Sequence, residues 1–585
     1  MVIRSVSHSG TRRNGFRRAA QRHPSGPWPT AFACTAHGRG GTHGQAVRGK
    51  VQTMPETVQS DRVTAAAAAL MVHLTDRQFD ADKLNRLTAL CEETRRTLDL
   101  DSRLALAERL ERDAPSNDTV RLRSVLFLLT GDLYHYERIL HYLILGADSA
   151  EPAILHYTHW CMSRQLFLGV ASGDKQASFV ACDQFRYYTA MVRQIARSWG
   201  LTPPPAALRD GPIRRVAVVT NQFTNQGHQP TRDCFDFAAR MQDEFGLDVA
   251  IINVNGLPGR VENVFIPPMV AEIAADLDGV YALKMFGRQV KTASFTEPVF
   301  SRNKLSVIVE AIDGYDPDLI VAFGGSNIVA DLFAMSGARP VVALPTSSGI
   351  TLSLAPIVLG FEESDHTQSI PALYRGPFAR RFRPFTFGYT LPPSAGVRID
   401  TGFPEGATLF VMVGTRLDQE VTGEVLGLLD DILDRRPEAG LVFAGDVDEL
   451  PARLAALRNG ARMRCLGHVA DIRALYARCH VFLNPPRQGG GGGAAFALAE
   501  GLPVVTYGWG DGAVVSGPDF CVSDRDGYLS RAVALTTDAA LHSEAAAAAK
   551  ARFGEIGDRN RCVERLIAYG EEARALLRAE RAGAN

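Results

Sequence analysis

The chain reads as an α/β protein with two doubly wound, Rossmann-like domains facing each other across a cleft, preceded by an all-α domain. Three observations predict this. From about Asp61 to Trp199 apolar residues recur at three- and four-residue spacing, as in Leu84, Leu87, Leu90 and Leu98 and again in Leu122, Val125, Leu126 and Leu129, which is helical patterning. Thr202–Pro205 breaks that pattern, and short β-rich runs then alternate with helical stretches, as in a parallel sheet wound with helices. A second alternating series starts near Thr408, after the linker Leu391–Gly402 with its Pro392 and Pro393. At 585 residues, 46% hydrophobic and with a formal net charge of −1, the chain is globular and long enough for two to four domains.

The opening segment, 1–55, stands apart. Residues 1–53 hold eight Arg, one Lys and four His with no Asp or Glu. They lack an apolar h-region, so they are no secretory signal, although Arg12–Arg13 resembles a twin-arginine pair. A disordered basic tail, a transit peptide, or a stretch upstream of a true start at Met54 all fit, and the first and last are preferred. The remainder, 54 basic against 64 acidic residues, gives no sign of nucleic-acid binding. No apolar run is long enough to cross a bilayer, so at most peripheral membrane contact is expected. Nine cysteines without CxxC pairing read as reduced thiols of a cytoplasmic protein.

The helical domain is placed at 60–200. His156 and His159 lie one turn apart there; without a nearby carboxylate or cysteine cluster, packing and surface hydrogen bonds explain them better than a metal. The first Rossmann-like domain, 213–392, has strands at Val216–Thr220, Val249–Val254, Leu319–Phe323 and Val341–Leu344 and a helix at Asp233–Phe245. Its next helix carries Ile328, Val329, Leu332 and Phe333, capped by Ser326 and closed by Gly337. The stretch 256–304 is less regular. The acidic cluster Glu362, Glu363 and Asp365 with His366 lacks diagnostic ligand spacing and reads as a solvated loop, so no metal site is expected. The second Rossmann-like domain, 400–545, has strands Leu409–Val413, Leu441–Ala444, Met463–Leu466, Val481–Leu483 and Val504–Thr506, with helices near 421–435, 449–458 and 470–478. C-terminal helices fill 546–585.

Chemistry concentrates in VFLNPPRQGGGGGAAFALAEGLPVVT, residues 481–506. A buried strand leads into Gly489–Gly493, and a compact helix, Ala494–Glu500, follows. Consecutive glycines weaken a core, because each loses the most backbone freedom and offers no side chain to pack. A flexible linker is the alternative reading, but linkers seldom sit between a buried strand and a helix start. The better use is to bring backbone N–H groups to a phosphate at the positive end of a helix, with Gly490, Gly491, Gly492 and Gly493 as the contacts. Arg416, after strand Leu409–Val413 at the matching rim, and Arg487, within NPPRQGG, are placed to add bidentate guanidinium contacts to a diphosphate; otherwise they are surface residues. The loop Gly467–Asp471, including Val469 and Ala470, offers main-chain groups to a nucleobase. In the first domain His228, in TNQFTNQGHQPTRD past a strand's carboxyl end, suits a general base; a solvent-exposed loop histidine is the alternative.

These residues carry a resemblance. The C-terminal half resembles the nucleotide-binding domain of GT-B glycosyltransferases, and the chain from about 60 to 540 is similar in layout to the O-GlcNAc transferases and the HMW1C-type protein glucosyltransferases. IRRVAVVTNQFTNQGHQPT resembles that group's strand with a following His, which puts His228 near the acceptor. ARCHVFLNPPRQGGGGGAAFALAEGLPVVT resembles its diphosphate-binding loop, and GHVAD lies where the group contacts uracil. Two positions depart from the pattern: Phe496 stands where most relatives carry a ribose-binding acid, for which Glu500 or Asp511 would substitute out of register, and the lysine expected after Arg416 is absent. The resemblance implies a metal-independent, hexosyltransferase-type glycosyltransferase without a cofactor. Its donor would be a nucleotide diphosphate sugar, UDP-linked, and its acceptor a protein or saccharide. A polysaccharide-building GT-B enzyme or a sugar-nucleotide epimerase shares the phosphate loop, and a non-catalytic scaffold with a degenerate nucleotide cleft accounts for the two departures.

Overall fold

A computed structural model describes residues 56–76, 81–114, 120–167, 181–224, 228–271, 273–346, 351–361 and 381–583. The basic opening and the cluster Glu362, Glu363, Asp365 and His366 lie outside the described residues.

Seven helices come first: α1 (Glu56–Thr75), α2 (Ala81–Thr97), α3 (Leu100–Asp113), α4 (Val120–Thr130), α5 (Leu133–Gly146), α6 (Pro152–Phe167) and α7 (Ala181–Trp199). The apolar stripe Leu84–Leu87–Cys91 of α2 packs with Leu106 and Leu110 of α3 around α4, all of whose residues are buried. Short acidic side chains begin α3 and α5: Asp99 accepts from Ser102 N at 2.8 Å and Asp132 from Tyr134 N at 2.9 Å, each satisfying an N–H that the helix itself leaves unpaired. This region docks on the first α/β unit through polar contacts as well as packing. Gln165 donates to Ile266 O at 3.0 Å, Ile266 N donates to Ser124 Oγ at 3.0 Å, and the Tyr188 hydroxyl donates to Asp331.

The first α/β unit holds β1 (Arg215–Thr220), β2 (Asp248–Asn253), β3 (Gly279–Met285), β4 (Arg288–Ser294), β5 (Leu319–Phe323), β6 (Val341–Leu344), β7 (Ile357–Phe361) and β8 (Phe382–Phe385). Their order is β3-β4-β2-β1-β5-β6-β7-β8, and all neighbours are parallel except β3 and β4. Helices α8 (Gln229–Asp243), α9 (Arg302–Tyr315) and α10 (Ile328–Met335) connect the parallel strands. Several details differ from the sequence expectation: α8 starts at Gln229 rather than Asp233, and α9, β7 and β8 were not among the expected elements. The irregular stretch 256–304 contains the β3–β4 hairpin, whose two-residue turn, Phe286–Gly287, has both φ angles positive (52° and 75°), as a hairpin twisting with its strands requires. The cap of α10 is Asn327 rather than Ser326: its side chain accepts from Ala330 N at 3.0 Å and donates to Val219 O at 3.1 Å, tying the helix to β1.

The second unit holds β9 (Leu409–Val413), β10 (Gly440–Ala444), β11 (Met463–Cys465), β12 (Val481–Leu483), β13 (Val504–Tyr507) and β14 (Cys521–Val522), in the order β11-β10-β9-β12-β13-β14 and parallel throughout. Strand order reverses between β9 and β12, and in the first sheet between β1 and β5. At such switch points the connecting helices leave to opposite faces, opening a crevice beyond the strands' carboxyl ends.

The last helix, Arg559–Gly583, returns to the first α/β unit. Arg559 is almost fully buried, donates to Asp233 at 2.6 Å, and lies over the Phe237 and Phe387 rings at 4.7 and 5.1 Å. Glu571 accepts from Ile213 N at 2.8 Å, and Tyr569 donates to Pro384 O at 2.8 Å. No helix among the described residues is long and apolar enough to cross a membrane.

Candidate active site

Both switch points open on one cavity of about 580 Å³. Asn221 follows β1 and Gly324 and Ser326 follow β5; Thr415 and Arg416 follow β9, and Gly489–Gly492 follow β12. The helical region closes the remaining side with His156, His159, Trp160, Arg164 and Phe167.

The glycine run is built differently from the sequence expectation. The helix spans Gly491–Ala499, so three glycines form its first turn instead of a loop ahead of it. Gly490 is the N-cap, at φ 95°, a left-handed backbone that a residue with a Cβ adopts only at a cost. A Cβ there would also lie 2.4 Å from Arg487 Nε. Gly490, Gly491 and Gly492 line the cavity with Gly489. Gly493 does not: its carbonyl accepts from the Tyr476 hydroxyl at 3.1 Å, and a Cβ on it would touch Phe482 at 3.4 Å, so it faces the core. At Gly492 a Cβ would meet nothing closer than Gln229 Cγ at 3.8 Å, across the cleft on α8.

The two arginines part company. Arg416 lines the cavity and donates to Glu420 Oε1 at 2.8 Å, with its guanidinium 5.1 Å over the Phe167 ring. Arg487 is turned inward and 6% exposed. Its donors are spent on Asn484 Oδ1 (2.9 Å), Glu420 Oε2 (2.8 Å) and Val413 O (2.8 Å). The expected phosphate contact by Arg487 is therefore corrected: it braces the glycine loop from beneath, because a buried guanidinium takes every acceptor in reach. Glu420 holds both arginines in the segment where a lysine was expected.

His228 lines the cavity at the start of α8. Its Nδ1 lies 2.8 Å from Thr231 Oγ1, which also accepts from Thr224 N at 3.2 Å. Burial pushes the imidazole below its usual range, so the neutral ring prevails at pH 7. The neighbouring Gln229 donates to Asp233 at 3.1 Å and approaches Gly492, so His228 and the glycine helix face each other across the cavity. Asp511 lines it too, in the first turn of the helix Gly510–Ser516, its N–H donating to Gln488 O at 2.8 Å. Glu500 is engaged elsewhere, bound by Arg473, and Phe496 is buried in the core. Val469 and Ala470 lie beyond β11, outside the residues lining this cavity; Val469 packs against the core and Ala470 is exposed.

Several lining residues were not foreseen. His156 stacks on Phe300 with ring centroids 3.8 Å apart, and burial drives its pKa down to about 3; that of His159, packed against Tyr187 and Tyr188, falls to about 4. Both pack, as expected, but against a cavity rather than at the surface. No group of three or more His, Cys, Asp or Glu suited to a metal occurs among the described residues. Asn221 was the readable omission, since it directly follows a strand at the switch point. Arg164, Phe167 and Tyr389 gave no local signal, because distant chain segments bring them here.

In overall layout the chain is similar to a mutant O-GlcNAc transferase from Thermobaculum terrenum, at 17% identity over 89% of this chain and 99% of that one, with a TM-score of 0.47. It is also similar to Anabaena HepE, solved in complex with UDP (16% identity, 62% of this chain, 100% of that one, TM-score 0.44), and to the pneumococcal O-GlcNAc transferase GtfA, solved with UDP and GlcNAc (10%, 62%, 99%, 0.41). No curated protein matches the chain. Residues 409–538, the unit that carries Arg416 and the glycine helix, match the family model of the group 1 glycosyl transferases.

Proposed function

We propose that this protein is a glycosyltransferase that moves a hexose from a nucleotide diphosphate sugar, UDP-linked, to a protein or saccharide acceptor. One observation carries the reading: the glycine-helix N-terminus and Arg416, at one sheet's switch point, share a cavity with His228, at the other's. The helix N-terminus and Arg416 hold the diphosphate, since unpaired amides and a guanidinium both favour anions. Thr231 Oγ1 has two lone pairs; with Thr224 N–H on one, the other takes an Nδ1–H from His228, the tautomer that leaves Nε2 free to accept a proton. His228 then removes the acceptor's hydroxyl proton as that oxygen bonds to the anomeric carbon. The carbon–oxygen bond to the diphosphate breaks, and the departing charge is met by Arg416 and the helix amides. Protein cations and amides thus take the charge-neutralising role, and the reaction is metal-independent. Asp511, which lines the cavity, takes the ribose hydroxyls of the donor in this reading.

The test is UDP release from a panel of UDP-hexoses, with and without candidate acceptor proteins and oligosaccharides and with EDTA. Acceptor-dependent release that survives EDTA is expected. Epimerised donor without transfer, or failure of millimolar UDP to raise the melting temperature by mass action, would overturn the proposal.

A further inference from the structure

Taken alone, the second α/β unit's face of the cavity has no spare positive charge. Arg416 and Arg487 share Glu420, and Asp511 adds another carboxylate to the rim. Asp233, on the opposite wall, is matched by Arg559. The lining histidines are held neutral by burial. By formal charge the α/β walls are therefore about neutral, a poor receptacle for a diphosphate.

The remaining charge comes from α6. Arg164 lies 5.2 Å over the Phe167 ring and lines the cavity, and among the described residues no carboxylate pairs with it. Arg416 stands 5.1 Å from the same ring centroid, so the two guanidiniums are within about 10 Å of each other. Phe167 itself reaches the glycine run, its Cζ 3.9 Å from where a Gly489 Cβ would lie. Burial lowers the pKa of Arg164 from its ordinary value, and the neighbouring Arg416 charge lowers it further. Arginine stays protonated regardless, so the pair is held at an electrostatic cost that an anion between them removes.

We infer that Arg164, supplied by the helical region, binds the diphosphate of the nucleotide-sugar donor together with Arg416, and fills the charge role of the lysine missing after Arg416. This rests on the donor assignment proposed above. The helical region then completes the donor site.

The experiment is calorimetric titration of the full chain with UDP, UMP and uridine, for the wild type and for Arg164→Gln, Arg164→Ala and Arg164→Lys, with melting temperatures recorded alongside. One charge-assisted contact to a diphosphate is worth about tenfold or more in affinity. Arg164→Gln and Arg164→Ala should lose that for UDP, less for UMP and nothing for uridine, while Arg164→Lys recovers part of it. A role limited to propping Phe167 would weaken all three ligands alike, and that result overturns the inference. So does unchanged UDP affinity in a folded Arg164→Gln protein. A wild type that binds none of the three ligands instead removes the donor assignment itself.

Discussion

Gly492→Ala separates the demands of folding from those of ligand binding. Gly492 lies in the first turn of the glycine helix, and a Cβ added there meets nothing nearer than 3.8 Å. Alanine is better than glycine in a helix by roughly 0.5–1 kcal/mol. Space and backbone both permit the change, so the variant should be more stable, by about 1–3 °C in melting temperature for a unit of this size. The methyl group would project toward Gln229, into the cavity where a phosphate would approach the helix amides. Loss of one such charge-assisted contact costs about 1.5–3 kcal/mol, or roughly 10- to 100-fold in affinity. Gly490→Ala is the control. It combines left-handed strain of about 1–2 kcal/mol with a clash against a guanidinium that three acceptors fix in place, so it should lower the melting temperature. Thermal melting and UDP titration on the two variants decide the matter. A Gly492→Ala protein with higher stability and wild-type UDP affinity would refute the assignment of this helix end to phosphate.

Three further outcomes are expected. His228→Ala should lower kcat by about a hundredfold or more while leaving UDP affinity within about twofold. In the wild type, kcat/KM should fall as pH drops through a value below 6.5, because burial depresses the imidazole and only the neutral ring accepts a proton; an acid limb that persists in His228→Ala would remove this role. Arg487→Met should strip Glu420 of one partner and leave Asn484 and Val413 O without their guanidinium, a loss of about 3–5 kcal/mol for a buried ion pair. A melting temperature within about a degree of the wild type would show that Arg487 does not brace the loop.

The core strands were legible because strands buried on both faces read as unbroken apolar runs; Leu319–Phe323, Val341–Leu344, Leu409–Val413 and Val481–Leu483 begin and end where the sequence places them. The β3–β4 hairpin was not, because its outer strand is an edge with Val280 86% exposed, and its turn uses Phe286 where asparagine is the usual cue. Helix propensity misplaced the start of the glycine helix: three glycines argue against a first turn, and tertiary contacts such as Tyr476 with the Gly493 carbonyl outweigh that preference. At the site, a cation beside a glycine run reads as a phosphate ligand. Two of the acceptors that claim Arg487 lie 67 and 74 positions away, so no local pattern reveals its inward turn. Arg164 was hidden for a similar reason, being one of many arginines on a helix until the fold sets it beside Arg416.

The returning C-terminal helix bears on how this protein is made and dissected. Arg559 seals a carboxylate 326 positions earlier in the chain, and Glu571 accepts from the backbone N–H of Ile213, just ahead of β1 and 358 positions earlier. The lobe begun at β1 therefore lacks part of its shell until the second lobe and the returning helix have been made, and such distant closures slow assembly. A fragment ending at the hinge near residue 400 would carry Asp233 buried without its counter-ion and the backs of its strands stripped of cover. The two lobes are thus stitched into one assembly unit by the returning helix, and the first is no self-sufficient module to be cut out for study.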